Sequence, residues 1–188
     1  LIWNTSFSHN GASAIQLNLK DLYISNSGFI YSTGSIGGSI GFNAILSPHI
    51  SIPLSSSSIL ILKLDTIGNI IRANSFGNTG ISRGNSICGD IDENIYVGGH
   101  SNSSNLIISN INIINNSGNY HGLFLKFDSS FVPQWGESLR GNGVDHLLSL
   151  RINRLNEIHA VGFFQQDSFF YKNQIFITNS ISNTILHP

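Results

Sequence analysis

Six polar residues stand where a ligand would be met: His9, Arg83, His100, His121, Asp145 and His146 fall between apolar runs, on connections outside the strands that those runs predict. Their types suit binding of a protein or a glycan through hydrogen bonds and charge. Bond-breaking chemistry asks for more. A glycosidase needs two carboxylates roughly 5 to 10 Å apart with split pKa values. Once the acids of tight turns are set aside, Asp21, Glu137, Asp145, Glu157 and Asp167 remain, and only Asp145 shares the connections named above. There is no Ser-x-Asp-x-Gly-x-x-Trp box and no zinc-ligand spacing. No catalytic residue, metal ligand set or cofactor is expected.

Other suggestive residues have structural readings. Asp90-Ile91-Asp92-Glu93-Asn94 has oxygen ligands at calcium-like spacing. Its counterparts Ser25-Asn26-Ser27-Gly28 and Asn153-Arg154-Leu155-Asn156 mark the segment as a turn between two strands. Asp65 and Asp128 occupy places where Asp bonds its own backbone in a tight turn. Cys88 reads as a small buried apolar residue, and His159 takes a strand position that Tyr31 and Tyr96 fill elsewhere.

The elements that would position these residues recur along the chain. Leu62-Lys63-Leu64-Asp65 returns as Leu125-Lys126-Phe127-Asp128, with Arg72 and Trp135 each seven residues beyond the Asp. A Ser pair follows three residues on: Ser75-Phe76-Gly77, Ser138-Leu139-Arg140-Gly141 and, after Trp3, Ser6-Phe7. Hairpin arms close on glycine at Gly34, Gly98-Gly99 and Gly162, and positions 34, 99 and 162 lie 65 and 63 residues apart. Apolar strands precede these arms at Ala14 to Leu19, Ser86 to Ile91 and Leu147 to Ile152. The unit therefore reads as strand A (Ser86 to Ile91), B (Asn94 to Gly99), C (Gly122 to Phe127) and D (Val132 to Leu139). The fold class is all-β: about three four-stranded antiparallel blades of one repeat domain, with units near 8–76, 77–139 and 140–188 and residues 1–7 as a closing strand.

Lys63-Leu64-Asp65, Gly68-Asn69, Phe76-Gly77 and Ile95-Tyr96-Val97-Gly98-Gly99 resemble the bacterial β-propeller repeats called SBBP. In the third copy Asn156-Glu157-Ile158-His159 departs from that pattern. The resemblance implies a β-propeller-like fold and carries over no catalytic residue. The last C strand is expected at Phe170 to Phe176 or Gln174 to Thr178, with Trp3 to Phe7 as a D strand able to complete it. Propellers have four to eight blades. Three blades therefore imply a partial propeller, or half of a six-bladed ring shared by two copies.

Composition narrows the partners. The 188 residues carry 9 Lys plus Arg against 10 Asp plus Glu, a net charge of -1, without a basic cluster for nucleic acid. Charged residues make up 10%, against ~25% in ordinary domains, so Ser, Asn, Thr and Gly must build the polar surface. The 40% hydrophobic content, with 12 Phe, 5 Tyr and 2 Trp, suffices for a packed core. No apolar run is long enough to span a bilayer. A lone cysteine closes no intrachain disulfide, and a chain with no Met reads as a processed product or a piece of something larger. The connections D-to-A and B-to-C share one end of such sheets, and the long ones are all there: Ile36 to Ser58, Ser101 to Tyr120, Ser8 to Ser13, Gly77 to Asn85 and Gly141 to Asp145. Variable loops on a rigid scaffold carry binding. The expected function is thus a non-enzymatic extracellular or surface-associated module for protein or glycan binding, adhesion or assembly. A structural subunit of a filament or shell, and a fragment of a larger propeller enzyme, are the alternatives.

Overall fold

A computed structural model describes residues 8–9, 15–38, 43–47, 50–53, 56–77, 79–115, 118–141, 143–165, 168–171, 174–177 and 185–186. The chain begins with β1 (Ser8–His9), β2 (Gln16–Ile24), β3 (Ile30–Gly37), β4 (Asn43–Ser47), β5 (Ile50–Pro53), β6 (Ser58–Leu64) and β7 (Ile70–Phe76). It continues with β8 (Ser82–Gly89), β9 (Ile95–Ser101), β10 (Asn105–Ile108), β11 (Ile111–Ile114), β12 (His121–Phe127) and β13 (Pro133–Leu139). The last segment holds β14 (Asp145–Ile152), β15 (Ile158–Phe164), β16 (Ser168–Tyr171), β17 (Gln174–Ile177) and β18 (Ile185–Leu186).

The protein is all-β, built of antiparallel sheets. The first sheet is ordered β2-β3-β6-β7, the second β13-β12-β9-β8 and the third β14-β15-β18. Small hairpins, β4–β5 joined by β1, β10–β11 and β16–β17, interrupt the connection between the second and third strand of each sheet. The second sheet lies between the other two. Alternation along β12 sends Leu123, Leu125 and Phe127 towards the first sheet, where they meet Tyr31, Ile59 and Ile61. Phe124, from the other face, joins Leu147, Leu150 and Ile158 of the third. A strand covered on both faces needs apolar residues at consecutive positions, which is why β9 and β12 lack the usual polar alternation. The leading strands lie in a row, β8 between β2 and β14. Asp21 of β2 joins all three: its Oδ2 accepts from Ser86 Oγ at 2.7 Å, from Ile87 N at 3.1 Å and from Arg151 Nη1 at 3.4 Å.

The closing glycines have a backbone cause. Register shifts fall at Leu19/Asp21, Gly84/Ser86 and Leu147/Ser149, leaving Lys20, Asn85 and Leu148 as the extra residue of a β-bulge in each leading strand. Opposite each bulge the carbonyl of the leading strand presses on its neighbour. A Cβ at Gly34, Gly99 or Gly162 would sit 1.9, 2.1 or 2.3 Å from the oxygen of Asn18, Arg83 or His146.

The tight turns also share one design. Ser25, Asp65, Asp90, Asp128 and Asn153 each donate their N–H to the carbonyl four residues on, and each accepts from the residue three on. That third position is left-handed: Gly28, Gly68, Glu93, Phe131 and Asn156 have φ of 85, 89, 61, 60 and 64°. Asp65 Oδ1 accepts from Ile67 N and Asn69 N at 3.0 and 2.8 Å, and Asp128 Oδ1 from Ser130 N and Val132 N at 2.9 and 3.0 Å. These are the self-bonding turns expected for both residues. The Asn69 side chain, followed by the turn N–H groups, holds the Asp65 carboxyl below its ordinary value.

Phe131 is the one large apolar residue among the five left-handed positions. It is buried, and its ring stands edge-on to Tyr31 at 6.0 Å, so the last turn of the second sheet plugs into the first. Phe131→Gly would relieve about 1–2 kcal/mol of left-handed strain but lose roughly 3–5 kcal/mol of aromatic burial. Burial wins. Thermal unfolding is expected roughly 4–10 °C lower; an unchanged or raised midpoint would show that the plug carries no weight.

Several expectations need correction. The leading strands run Gln16–Ile24 and Ser82–Gly89 where Ala14 to Leu19 and Ser86 to Ile91 were read, because each continues through its bulge. The connections read as Gly77 to Asn85 and Gly141 to Asp145 are consequently shorter, and all six candidate residues, read as lying on connections, belong to strands: His9 to β1, Arg83 to β8, His100 to β9, His121 to β12, and Asp145 and His146 to β14. Phe170 to Phe176 supplies most of the β16–β17 hairpin, and the strand beside β15 is β18. The chain around Ser8 pairs with β4. Trp3 to Phe7 lies outside the described residues.

Candidate functional site

Strand pairing sets the candidate residues in one region. Arg83 lies opposite His100, His121 opposite Ser101, and His146 opposite Phe163. Packing of the second sheet on the third lays the His100 and His146 rings flat on one another, with centroids 3.9 Å apart and planes 5° from parallel. Tyr120 stands edge-on to both, at 5.4 and 5.5 Å. Asn85 Nδ2 donates to Leu147 O at 2.8 Å and lies 3.1 Å from His100 Nδ1. As the amide is the donor, His100 Nδ1 accepts and its proton sits on Nε2. Asp145 Oδ2 accepts from Gly141 N at 2.6 Å, and Asp145 N donates to Tyr120 O at 2.9 Å. Among the described residues, Asp145 Oδ1, His146 Nε2 and both ring nitrogens of His121 are buried with no partner of good hydrogen-bond geometry. His9 is in β1, and its side chain is outside the described residues.

Burial sets the charge of this group. The imidazole of His100 is pulled down to about 3 by burial and then by the positive fields of His146, Arg83, Lys20 and His121. His121 is pulled down to about 4 by burial, with the Asn119 backbone opposing and Arg140 assisting. Burial, then Arg83, lowers His146. Asp145 is raised by burial, against the backbone N–H groups of Gly141 and Gln165. A general base works best with a pKa near the working pH. With His100 at about 3 and His121 at about 4, these two rings are too weak for that role, and the His100–His146 stack packs as a seam between sheets.

The remaining reactive groups are occupied. Asp90 Oδ1 accepts from Asn94 N at 2.8 Å, while Oδ2 takes Asn94 Nδ2 at 2.8 Å and Tyr96 Oη at 2.9 Å. Burial pushes the Cys88 thiol up to about 12. Among the described residues no three His, Cys, Asp or Glu side chains are set to hold a metal ion. Gly37-Gly38-Ser39-Ile40-Gly41 has the spacing of a hydrolase nucleophile turn. It leads from one strand towards another, β4, where that turn requires a helix, and Ser39 is outside the described residues. Asp167 is also outside them, and Glu157 accepts from Asn153 Nδ2 at 2.6 Å.

Among the described residues, cavities open at both ends of the sheets. One of about 370 Å³ lies where the turns between first and second strands converge, against Tyr23, Asp90 and Asn153. Another, of about 520 Å³, is at the hairpin end between the first and second sheets, lined by Asn18, Lys20, Ser35, Ser56, Ser57 and Arg83 among others. Arg83 thus belongs both beside the imidazoles and to this cavity. Sequence reasoning named Arg83 but missed Lys20. The usable signal was the spacing of 65 residues that aligns Lys20 with Asn85.

The sheet order and this site define an all-β protein of stacked antiparallel meanders with hairpin inserts at one end. The chain matches no protein-family model and no curated protein. Among the described residues no helix is long and apolar enough to cross a membrane.

Proposed function

We propose that the chain is a non-enzymatic, SBBP-like propeller module, exported or surface-associated, that contacts protein or glycan through its hairpin end and assembles by adding sheets to its own stack. The observation that carries the reading is a difference between equivalent positions. Ile87 in β8 and Leu150 in β14 are 1% and 0% exposed because a preceding sheet covers each. Leu22, which takes their place in β2, is 60% exposed, and Ile24 beside it equally so. A face built for a neighbouring sheet and left open is a contact surface. A second copy placing its third sheet there would continue the stack, and two copies would give six sheets, within the range of closed propellers.

Support for binding at the hairpin end comes from β10–β11. Leu106, Ile108 and Ile113 anchor the hairpin in the core, while Ile107 and Ile114 on its other face are 50% and 49% exposed. An anchored hairpin with exposed apolar residues suits contact with a partner.

Native mass measurement of the chain at micromolar concentration tests the assembly: twice the chain mass is expected, and Leu22→Lys should return it to monomer. A clean monomer with a folded β spectrum would rule the shared ring out. Indefinite polymers under the electron microscope would select the filament or shell subunit instead.

A further inference from the structure

We infer that the hairpin-end cavity between the first and second sheets is a binding site for an acidic sugar, with Lys20 and Arg83 gripping its carboxylate. This deepens the binding proposal above and rests on the hairpin end being the working face.

Four observations converge on it. Lys20 is the extra residue of the β2 bulge, and a bulge re-aims the side chain it carries. The same position holds Asn85 in β8, spent on hydrogen bonds to its own neighbours, and Leu148 in β14, so only the first sheet puts a cation there. Arg83 reaches the cavity from the facing strand β8. Second, neither cation has an acidic partner: among the described residues the ion pair is Arg151–Asp21, at the row of leading strands. Of the other described cations, Lys63 lies over the Phe29 ring, Lys126 over Tyr96, and Arg72 and Arg140 on carbonyls of Ser130 and Ile114, while Arg154 lines the cavity at the opposite end. Third, no Asp or Glu is among the described residues that line the cavity. Two like charges lining one cavity, with no acid among its described lining, favour an anion there. Fourth, the remaining polar lining consists of amides and hydroxyls, Gln16, Asn18, Ser35, Ser56 and Ser57, which match sugar hydroxyl groups, and about 520 Å³ holds a monosaccharide unit. The positive field is felt nearby, where both cations help keep His100 neutral.

Titration of the full chain with sodium glucuronate, glucose and inorganic sulfate, followed by amide NMR shifts, tests the site. Glucuronate should give saturable shifts at residues 16–20, 56–57 and 81–83, weakening with added salt, while glucose gives none and sulfate binds less tightly. Lys20→Gln and Arg83→Gln should each weaken glucuronate binding about tenfold while the rest of the spectrum stays unchanged. Equal binding of glucose, full affinity in the doubly substituted chain, or no shift at the cavity would overturn the site. Sulfate binding tighter than glucuronate would make it a site for a small inorganic anion and overturn the sugar assignment. A protein or neutral glycan held through Ile107 and Ile114, with the cavity silent, sinks this inference alone. A hairpin end inert to all of these sinks the binding proposal as well.

Discussion

Gly99→Ala is expected to unfold the protein, or to lower its melting temperature by roughly 6–12 °C, an effect of about 3 kcal/mol or more. Replacing glycine inside a strand ordinarily stabilises by about 0.5–1 kcal/mol, because the unfolded chain loses freedom. Here the sign reverses. The new Cβ would lie 2.1 Å from Arg83 O and 3.2 Å from the Gly84 Cα, both backbone atoms fixed by the bulge and by β8–β9 pairing. Relief requires moving β8, which would pull Ile87 and Ser86 from both neighbouring sheets. The adjacent Gly98 provides the control. Its Cβ would meet side-chain atoms of Leu147 and Leu150 at 2.7 to 3.1 Å, which can shift at less cost than backbone. Gly98→Ala should therefore cost less than Gly99→Ala, and the opposite order in urea unfolding would break the argument. Gly34→Ala and Gly162→Ala should behave like Gly99→Ala, since their obstacles are also carbonyl oxygens.

Acid should destabilise the fold steeply, starting near pH 6.5. In the unfolded chain the imidazoles ionise near ~6.5. In the fold His100 and His121 do so only at about 3 and about 4. Above pH ~6.5 both states carry neutral rings and these residues add no pH dependence. Below it the unfolded chain takes up protons that the folded seam refuses, so stability falls through this window until each folded pKa is reached. By pH 4 the two rings together cost on the order of 5 kcal/mol, comparable with the whole stability of many domains. His146, lowered for the same reason, adds in the same direction. Asp145 opposes: its raised pKa means the fold is relieved when it gains a proton, returning part of the loss. Urea unfolding at pH 7, 5.5 and 4, compared with His100→Gln and His121→Gln, isolates the effect. The expected result is a flatter pH dependence in both variants, whatever their stability at pH 7. An unchanged slope would mean that the imidazoles are solvated and the seam open.

Different features of the chain were legible to different degrees. Gly34, Gly99 and Gly162 stood out because a backbone clash permits no other residue, so the constraint reaches the sequence undiluted. The turns at Asp65 and Asp128 were readable for a similar reason, as their side chains bond their own backbone. Bulges were not. Their extra residues are Lys20, Asn85 and Leu148, which have no chemistry in common, so the leading strands were read short or shifted and Arg83, Asp145 and His146 were placed on loops. The β10–β11 hairpin was visible in principle: Leu106, Ile108, Ile111 and Ile113 flank a Ser109-Asn110 turn with positive φ at Ser109. An Ile-, Asn- and Ser-rich background hid that alternation. The stacking of His100 on His146 lay beyond sequence reading, because it depends on how two sheets meet.

The inserts between β3 and β6, β9 and β12, and β15 and β18 all leave and re-enter beside strands that touch in the same sheet. Doubling the length of such an excursion costs only about 0.6 kcal/mol in closure entropy. Selection can therefore rewrite each tip, in size and in residue type, while the frame beneath keeps its register. Three separately tunable fingers on one rigid palm would let related chains change what they hold without learning to fold again.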